Sequence, residues 1–203
     1  MRRTREDAEQ TRLKVIEAAL ELFSRNGYSN TTLAMIAETA GFSRGPIYWH
    51  FKNKDELYQA VLAVSQEPLE RLIAESQARA AEPMAALEHF IGQWFRLLVT
   101  NRWHRQSFEI LLNKTEFTAE MATALKRERE LTRQMVQLLA GLIEQAQTRG
   151  AIPATQPAQS LGVLTYSNLM GITHTWLFSP KLFKLKDEAP FFTDRLMALL
   201  RVG

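Results

Sequence analysis

The chain has 203 residues, 46% of them hydrophobic and 23% charged, which is enough apolar material for a real core and too little bias for a disordered sequence. It contains no cysteine, which excludes disulfides, thiolate zinc sites and a cysteine nucleophile, and fits a reducing compartment. Net charge is only +3, but residues 1–54 carry nine basic and six acidic groups, and that surplus equals the excess of the whole chain.

The N-terminal segment MRRTREDAEQTR is charged with no apolar run behind it, so it does not read as a secretory signal. The most apolar stretch, 161–178, is interrupted by Thr165, Ser167, Asn168, Thr173, His174 and Thr175, too polar for a bilayer span. The expectation is a cytoplasmic protein with no membrane partner.

Strand signals are almost absent and apolar residues recur at three and four positions, which predicts an all-α protein of about nine helices. Helix 1 is expected over 7–26, with Val15, Ala18, Ala19, Leu22 and Phe23 on one stripe and Gly27 as its stop. Thr32 and Ser43 are placed to cap short helices at 33–40 and 44–50, with Gly41 in the turn between them. Asn53 followed by Glu56 caps a fourth helix from Lys54 into the seventies. Pro83 opens a fifth helix to Thr100, and a sixth covers 103–114. Thr118 opens a seventh that Gly150 closes. After the two prolines of AIPATQP come an eighth helix, 158–178, and a ninth from about Ala189 to Arg201. The division expected is a smaller domain over 1–57 and a larger one over 58–203.

Residues 31–51, TTLAMIAETAGFSRGPIYWHF, carry the strongest signal. Ile36 and Ile47 are spaced to meet between two helices, Ala37 is small at their approach, and Gly41 can take the left-handed turn conformation. This joint spacing is that of a helix-turn-helix. Its exposed side offers Ser43, Arg44, Gly45, Tyr48, Trp49 and His50 to double-stranded DNA, with Thr32 at the first helix and Lys54 at the helix that follows. Arg44 can reach a guanine edge or a phosphate, while Tyr48 and His50 can donate to phosphates. Trp49 fits either the core or the DNA face. Arg3 belongs to a basic arm suited to phosphate or minor-groove contacts.

Residues about 11–57 resemble the TetR family of repressors, and RGPIYWHFKNKDEL is similar to its multidrug-efflux branch of the AcrR and TtgR type. Pro46 stands where that branch usually has alanine. A first-turn proline removes no helical hydrogen bond, so the helix should survive. EILLNKTEFTAEM, residues 109–121, resembles the branch again, with Glu116 and Phe117 matching and Thr115 where cysteine is common. The resemblance implies a ligand-responsive repressor, a pocket for hydrophobic compounds within helices 5 to 8, and a homodimer through helices 8 and 9. Release of a palindromic operator by a hydrophobic inducer, controlling an efflux operon, is the expected function; a metabolic operon sensing a specific metabolite is the other possibility.

Periodicity addresses the same question independently. Leu87, Phe90, Ile91 and Trp94 share one face of helix 5, and Tyr166, Leu169, Met170 and Thr173 one face of helix 8. Phe108 and Leu112 on helix 6, with Met135 and Leu139 on helix 7, extend a wall rich in aromatic groups and methionine. Such stripes also fill ordinary cores. Leu164, Gly171 and Thr175 on helix 8, with Phe192, Leu196 and Leu199 on helix 9, are the expected dimer face. The four histidines have no metal-ligand spacing, so no metal or cofactor is expected. No nucleophile–histidine pair or glycine-rich phosphate loop can be assembled either, which disfavours an enzyme. Mechanistically, a ligand is expected to shift helix 4 and so change the separation of two recognition helices.

Overall fold

Helical spacing is realised throughout: the described residues, 5–113 and 122–202 of a computed structural model, form nine helices and no strand. In chain order they are α1 (Arg5–Asn26), α2 (Leu33–Thr39), α3 (Arg44–His50), α4 (Lys54–Ala78), α5 (Pro83–Thr100), α6 (Arg102–Asn113), α7 (Ala122–Thr148), α8 (Ala158–Phe178) and α9 (Leu185–Arg201). The expected start of the seventh helix at Thr118, and the matches at Thr115, Glu116 and Phe117, lie outside the described residues.

Two compact units result. One holds α1, α2, α3, α4 up to Glu67 and α6 from Trp103; the other holds α4 from Pro68, α5, α7 from Arg127, α8 and α9. The packing boundary thus runs through α4 at Glu67, ten residues beyond the sequence division at 57, and α6 joins the N-terminal unit. Pro68 sits inside α4, where it has no amide hydrogen to give the carbonyl four residues back.

In the first unit, Val15, Ile16, Ala19 and Phe23 of α1 pack with Ile36 of α2, Ile47 of α3, Leu57 and Val61 of α4 and Ile110 of α6, all with no exposed surface. Each large apolar side chain so buried contributes about 1.5–3 kcal/mol. Gln106 of α6 donates to the Ser24 hydroxyl of α1 at 3.2 Å, a polar contact beside that core. His104, 1% exposed on α6, packs edge-on against Phe108 at 5.0 Å between ring centres. Burial lowers its pKa from 6.5 to about 4, and a backbone hydrogen bond involving Ser65 opposes that shift only in part. The unfolded state therefore binds more protons between those two values, and stability falls as pH drops through that window. The expected loss by pH 4 is on the order of 3 kcal/mol from this group alone. Urea titrations at pH 7 and pH 5 check it. Wild type should lose more stability than His104→Gln, and parallel pH dependence in the two proteins would reject the assignment.

In the second unit α5 lies centrally and packs on α8 and α9, with Leu87, Phe90, Ile91, Trp94, Phe95 and Leu98 all fully buried. α7 and α8 meet closely at Gly162, where an added Cβ would lie 2.9 Å from the backbone nitrogen of Ala140, so only glycine allows the approach. α7 ends as expected at Gly150, whose φ of 72° lets the amide of Ala151 reach the carbonyl of Ala146. α9 begins at Leu185, four residues before the expected Ala189. The carbonyl of Lys184 accepts from Asp187 and Glu188, and Leu185 is buried, which sustains an extra turn ahead of Pro190.

Candidate functional site

The α2–α3 pair is built by local rules. Thr32 caps α2 by accepting from the amide of Met35 at 3.2 Å. At the other end Gly41 has φ of 73°, its amide donates to Glu38, and that of Phe42 donates to Ala37 at 2.9 Å. This is the paired 6→1 and 5→2 closure of a left-handed helix cap, and it turns the chain sharply into α3. A Cβ at Gly41 would meet nothing, so the glycine is there for its dihedral angle. Ile36 and Ile47 meet in the core with no exposed surface, as their spacing requires.

The opposite side of α3 is open. Ser43 and Gly45 are exposed, Tyr48 is 56% exposed and Trp49 is 89% exposed, which places Trp49 on the surface and out of the core. An indole left in water is a large uncovered apolar surface with one N–H donor, a group suited to a partner. His50 is half-buried with its ring 6.3 Å from that of Phe51. Pro46 lies in the first turn and α3 is intact around it. Ser43 has the extended backbone of a cap, but its hydroxyl makes no capping bond, contrary to expectation. Arg44 opens α3; its side chain, like the whole of Arg3, lies outside the described residues.

Lys54, expected to face DNA, also makes contacts within the chain. Its ammonium donates to the carbonyls of Tyr28 at 2.9 Å and Thr31 at 3.1 Å and sits 4.1 Å from the centre of the Tyr28 ring. These partners precede it by 26 and 23 residues, a relation that no local motif signals. Asn53 does cap α4, accepting from the amide of Glu56 at 2.8 Å, while the Glu56 carboxylate accepts from the amide of Lys52 at 2.7 Å.

Most of the expected ligand-facing residues are brought together in the second unit. Trp94 Nε1 donates to Thr173 Oγ1 at 2.9 Å, and that hydroxyl donates to the Leu169 carbonyl at 2.7 Å. Trp94 also meets Phe90 and Tyr166 at 6.2 Å between ring centres, the latter edge-on. Leu87, Ile91, Leu139 and Leu169 are fully buried, Met135 is 3% exposed, and Tyr166 and Met170 are half-buried. Tyr166 shares a 3.2 Å hydrogen bond with Thr132. Burial pushes its phenol pKa up, the bond to Thr132 opposing and the charge of Glu128 adding, so the hydroxyl stays neutral. Phe108 and Leu112 belong to α6 in the first unit, Phe108 buried and Leu112 half-buried.

On the outer side of α8, Leu164 is 51% exposed and Gly171 and Thr175 are exposed. Gly171, Thr175 and Phe192 line a groove of about 450 Å³ with Ser167, Ile172 and Phe183. Leu199 of α9 is 54% exposed, whereas Leu196 is 6% exposed. Leu196 therefore belongs to the interior and not to the expected dimer face. It shares the inward stripe of Met197 and Leu200, because α9 turns one side to the core and the other outward. Among the described residues no cluster of acids and histidines could hold a metal ion, and no helix is long and apolar enough to cross a membrane.

Comparison with known proteins bears on both units. Residues 15–61 match the model for bacterial regulatory proteins of the tetR family, and residues 82–202 match the C-terminal region of MAATS-type transcriptional repressors. The HTH-type transcriptional regulator AcrR of Shigella flexneri is 32% identical over 98% of this chain and 93% of its own. The HTH-type transcriptional regulator TtgR of Pseudomonas putida is 33% identical over 100% of this chain and 97% of its own. A crystal structure of NalD, the secondary repressor of the MexAB-OprM multidrug efflux pump in Pseudomonas aeruginosa, superposes with a TM-score of 0.85 at 28% identity, covering 98% of this chain and all of that one. With a helix-turn-helix at one end, a second helical unit after it, and matches along its whole length, the chain belongs to the tetR family of bacterial regulatory proteins.

Proposed function

We propose that the protein is a repressor that binds a palindromic operator as a homodimer, is released by a hydrophobic small molecule held in the second unit, and controls a multidrug efflux operon. It would act in the cytoplasm, where its DNA is. The observation that carries this reading is the uncovered face of α3, with Tyr48 and Trp49 exposed on a short helix whose other side is locked into a core by Ile47. Similarity to NalD, a repressor of an efflux pump, supports the choice of operon.

Residues 1–57 supply the DNA contacts, and the remainder binds ligand and a second copy. Ser43, Gly45 and Tyr48 approach the phosphates and Trp49 packs against the groove wall, with Arg44 reading a base and the Arg3 arm adding backbone contacts. Homodimerisation draws on the exposed side of α8 and α9. Gly171 supports it, because within one chain a side chain there would meet nothing, and its small size then serves the close approach of a partner helix. The ligand site draws on Trp94, Tyr166, Met170 and Thr173, which hold aromatic and polar groups but no charge. α4, half in each unit, is the element placed to carry a ligand's effect to the helix-turn-helix.

Mobility shift with a duplex selected by the wild-type protein from a randomised library tests the DNA face. Arg44→Ala should weaken binding by about 1–3 kcal/mol if it reads a base, with helicity and dimerisation unchanged. Trp49→Ala should weaken it too and, at so exposed a site, leave stability within about 0.5 kcal/mol. Wild-type affinity in both variants would remove α3 from the interface.

A further inference from the structure

We infer that the Tyr166 hydroxyl, held by Thr132 across α7 and α8, is the hydrogen-bonding subsite of the ligand site, and that it selects uncharged apolar ligands carrying a hydrogen-bond acceptor such as a carbonyl. This deepens the reading of the second unit as the ligand-binding one and rests on it. Where α5 meets α8, most donors are already spent. Trp94 Nε1 has one proton and gives it to Thr173 at 2.9 Å, and Thr173 gives its own to the Leu169 carbonyl at 2.7 Å. That relay ends on the backbone with no proton left to offer.

Tyr166 and Thr132 form a different kind of pair. Their oxygens lie 3.2 Å apart, two hydroxyls bring two protons, and the bond between them uses one. Both side chains are half-buried, so the remaining proton is within reach of a ligand. Thr132 also departs from the habit of threonines in these helices. Thr100, Thr148, Thr165, Thr173, Thr175 and Thr193 each donate back to the carbonyl four residues earlier. Thr132, well inside α7, turns to Tyr166 instead. The Tyr166 ring stands edge-on to Trp94 at 6.2 Å, and Met170, half-buried, follows it by one turn of α8, which puts apolar surface beside the hydroxyl. A negative charge is poorly served there. Burial and, to a smaller extent, the charge of Glu128 push the Tyr166 pKa up against the opposing bond to Thr132. Surroundings that disfavour a phenolate disfavour a ligand carboxylate for the same reasons.

Naphthyl methyl ketone, ethylnaphthalene and naphthoate share one frame and differ in the group they offer to the hydroxyl. Their affinities are read by calorimetry on the full chain as wild type, Tyr166→Phe and Thr132→Val. Tyr166→Phe should bind the ketone about three- to tenfold more weakly, the size of one hydrogen bond, and ethylnaphthalene within about twofold of wild type. A substitution that merely loosened the core would weaken both probes alike. Thr132→Val leaves the phenol and removes its support, so its affinity for the ketone should lie between those of wild type and Tyr166→Phe. Naphthoate should bind wild type at least about tenfold more weakly than the ketone, a comparison that needs no variant. Ketone affinity in Tyr166→Phe that is unchanged, or that falls no more than the hydrocarbon's, overturns the inference and leaves the second unit as a ligand site. So does naphthoate binding as tightly as the ketone. If wild type bound none of the three probes, both the inference and the reading of the second unit beneath it would fail.

Discussion

Leu164→Glu and Leu199→Glu combined are expected to give a monomer that binds a two-half-site operator at least about a thousandfold more weakly than wild type. The two leucines are 51% and 54% exposed within one chain, so the substitutions should leave each protomer folded. In a dimer the same sites would force carboxylates into an apolar contact without partners, which opposes assembly strongly. One seven-residue recognition helix then has too few contacts to hold a specific site. Analytical ultracentrifugation and operator titration check the two parts. A dimer that persists, or a monomer that binds as tightly as wild type, would refute the use of this face.

Trp94→Ala is expected to destabilise the second unit by about 3–5 kcal/mol, since it removes a fully buried indole from between α5 and α8. Loss of ligand binding in that variant would therefore mix a damaged core with a damaged site. Trp94→Phe keeps an aromatic ring and most of the volume while removing the N–H that bonds Thr173, so it damages the core much less than alanine does. It should bind operator as wild type does and bind a hydrophobic ligand about tenfold more weakly, as read by calorimetry. Unchanged ligand affinity in Trp94→Phe would place the site elsewhere in the chain.

The local parts of this architecture were legible in the sequence. Thr32, Gly41, Asn53 and Gly150 act within a few residues of themselves, and the spacing of Ile36 and Ile47 determines how α2 and α3 meet. Relations between distant residues were not. The tie of Lys54 to the 28–31 loop depends on the fold bringing α4 back to the end of α1. The place of α6 in the first unit follows from Ile110 reaching the core of α1, from which it is distant in sequence. A helical period likewise cannot say which of two apolar stripes faces inward, hence Leu196 inside and Leu199 outside. Gly162 showed no signal, because its need lies in the backbone of Ala140 on another helix.

If ligand and operator favour different arrangements of one protein, each must weaken the other by the same factor, typically about 1–3 kcal/mol. That coupling is measured by titration calorimetry of one hydrophobic compound, found by its thermal shift of the protein, into free dimer and into operator-saturated dimer. Ligand affinity should be about five- to 150-fold lower for the operator-bound form, with the same factor recovered when operator is titrated into ligand-saturated protein. Equal ligand affinity in the two forms would contradict it, leaving a DNA-binding dimer whose second unit serves assembly alone.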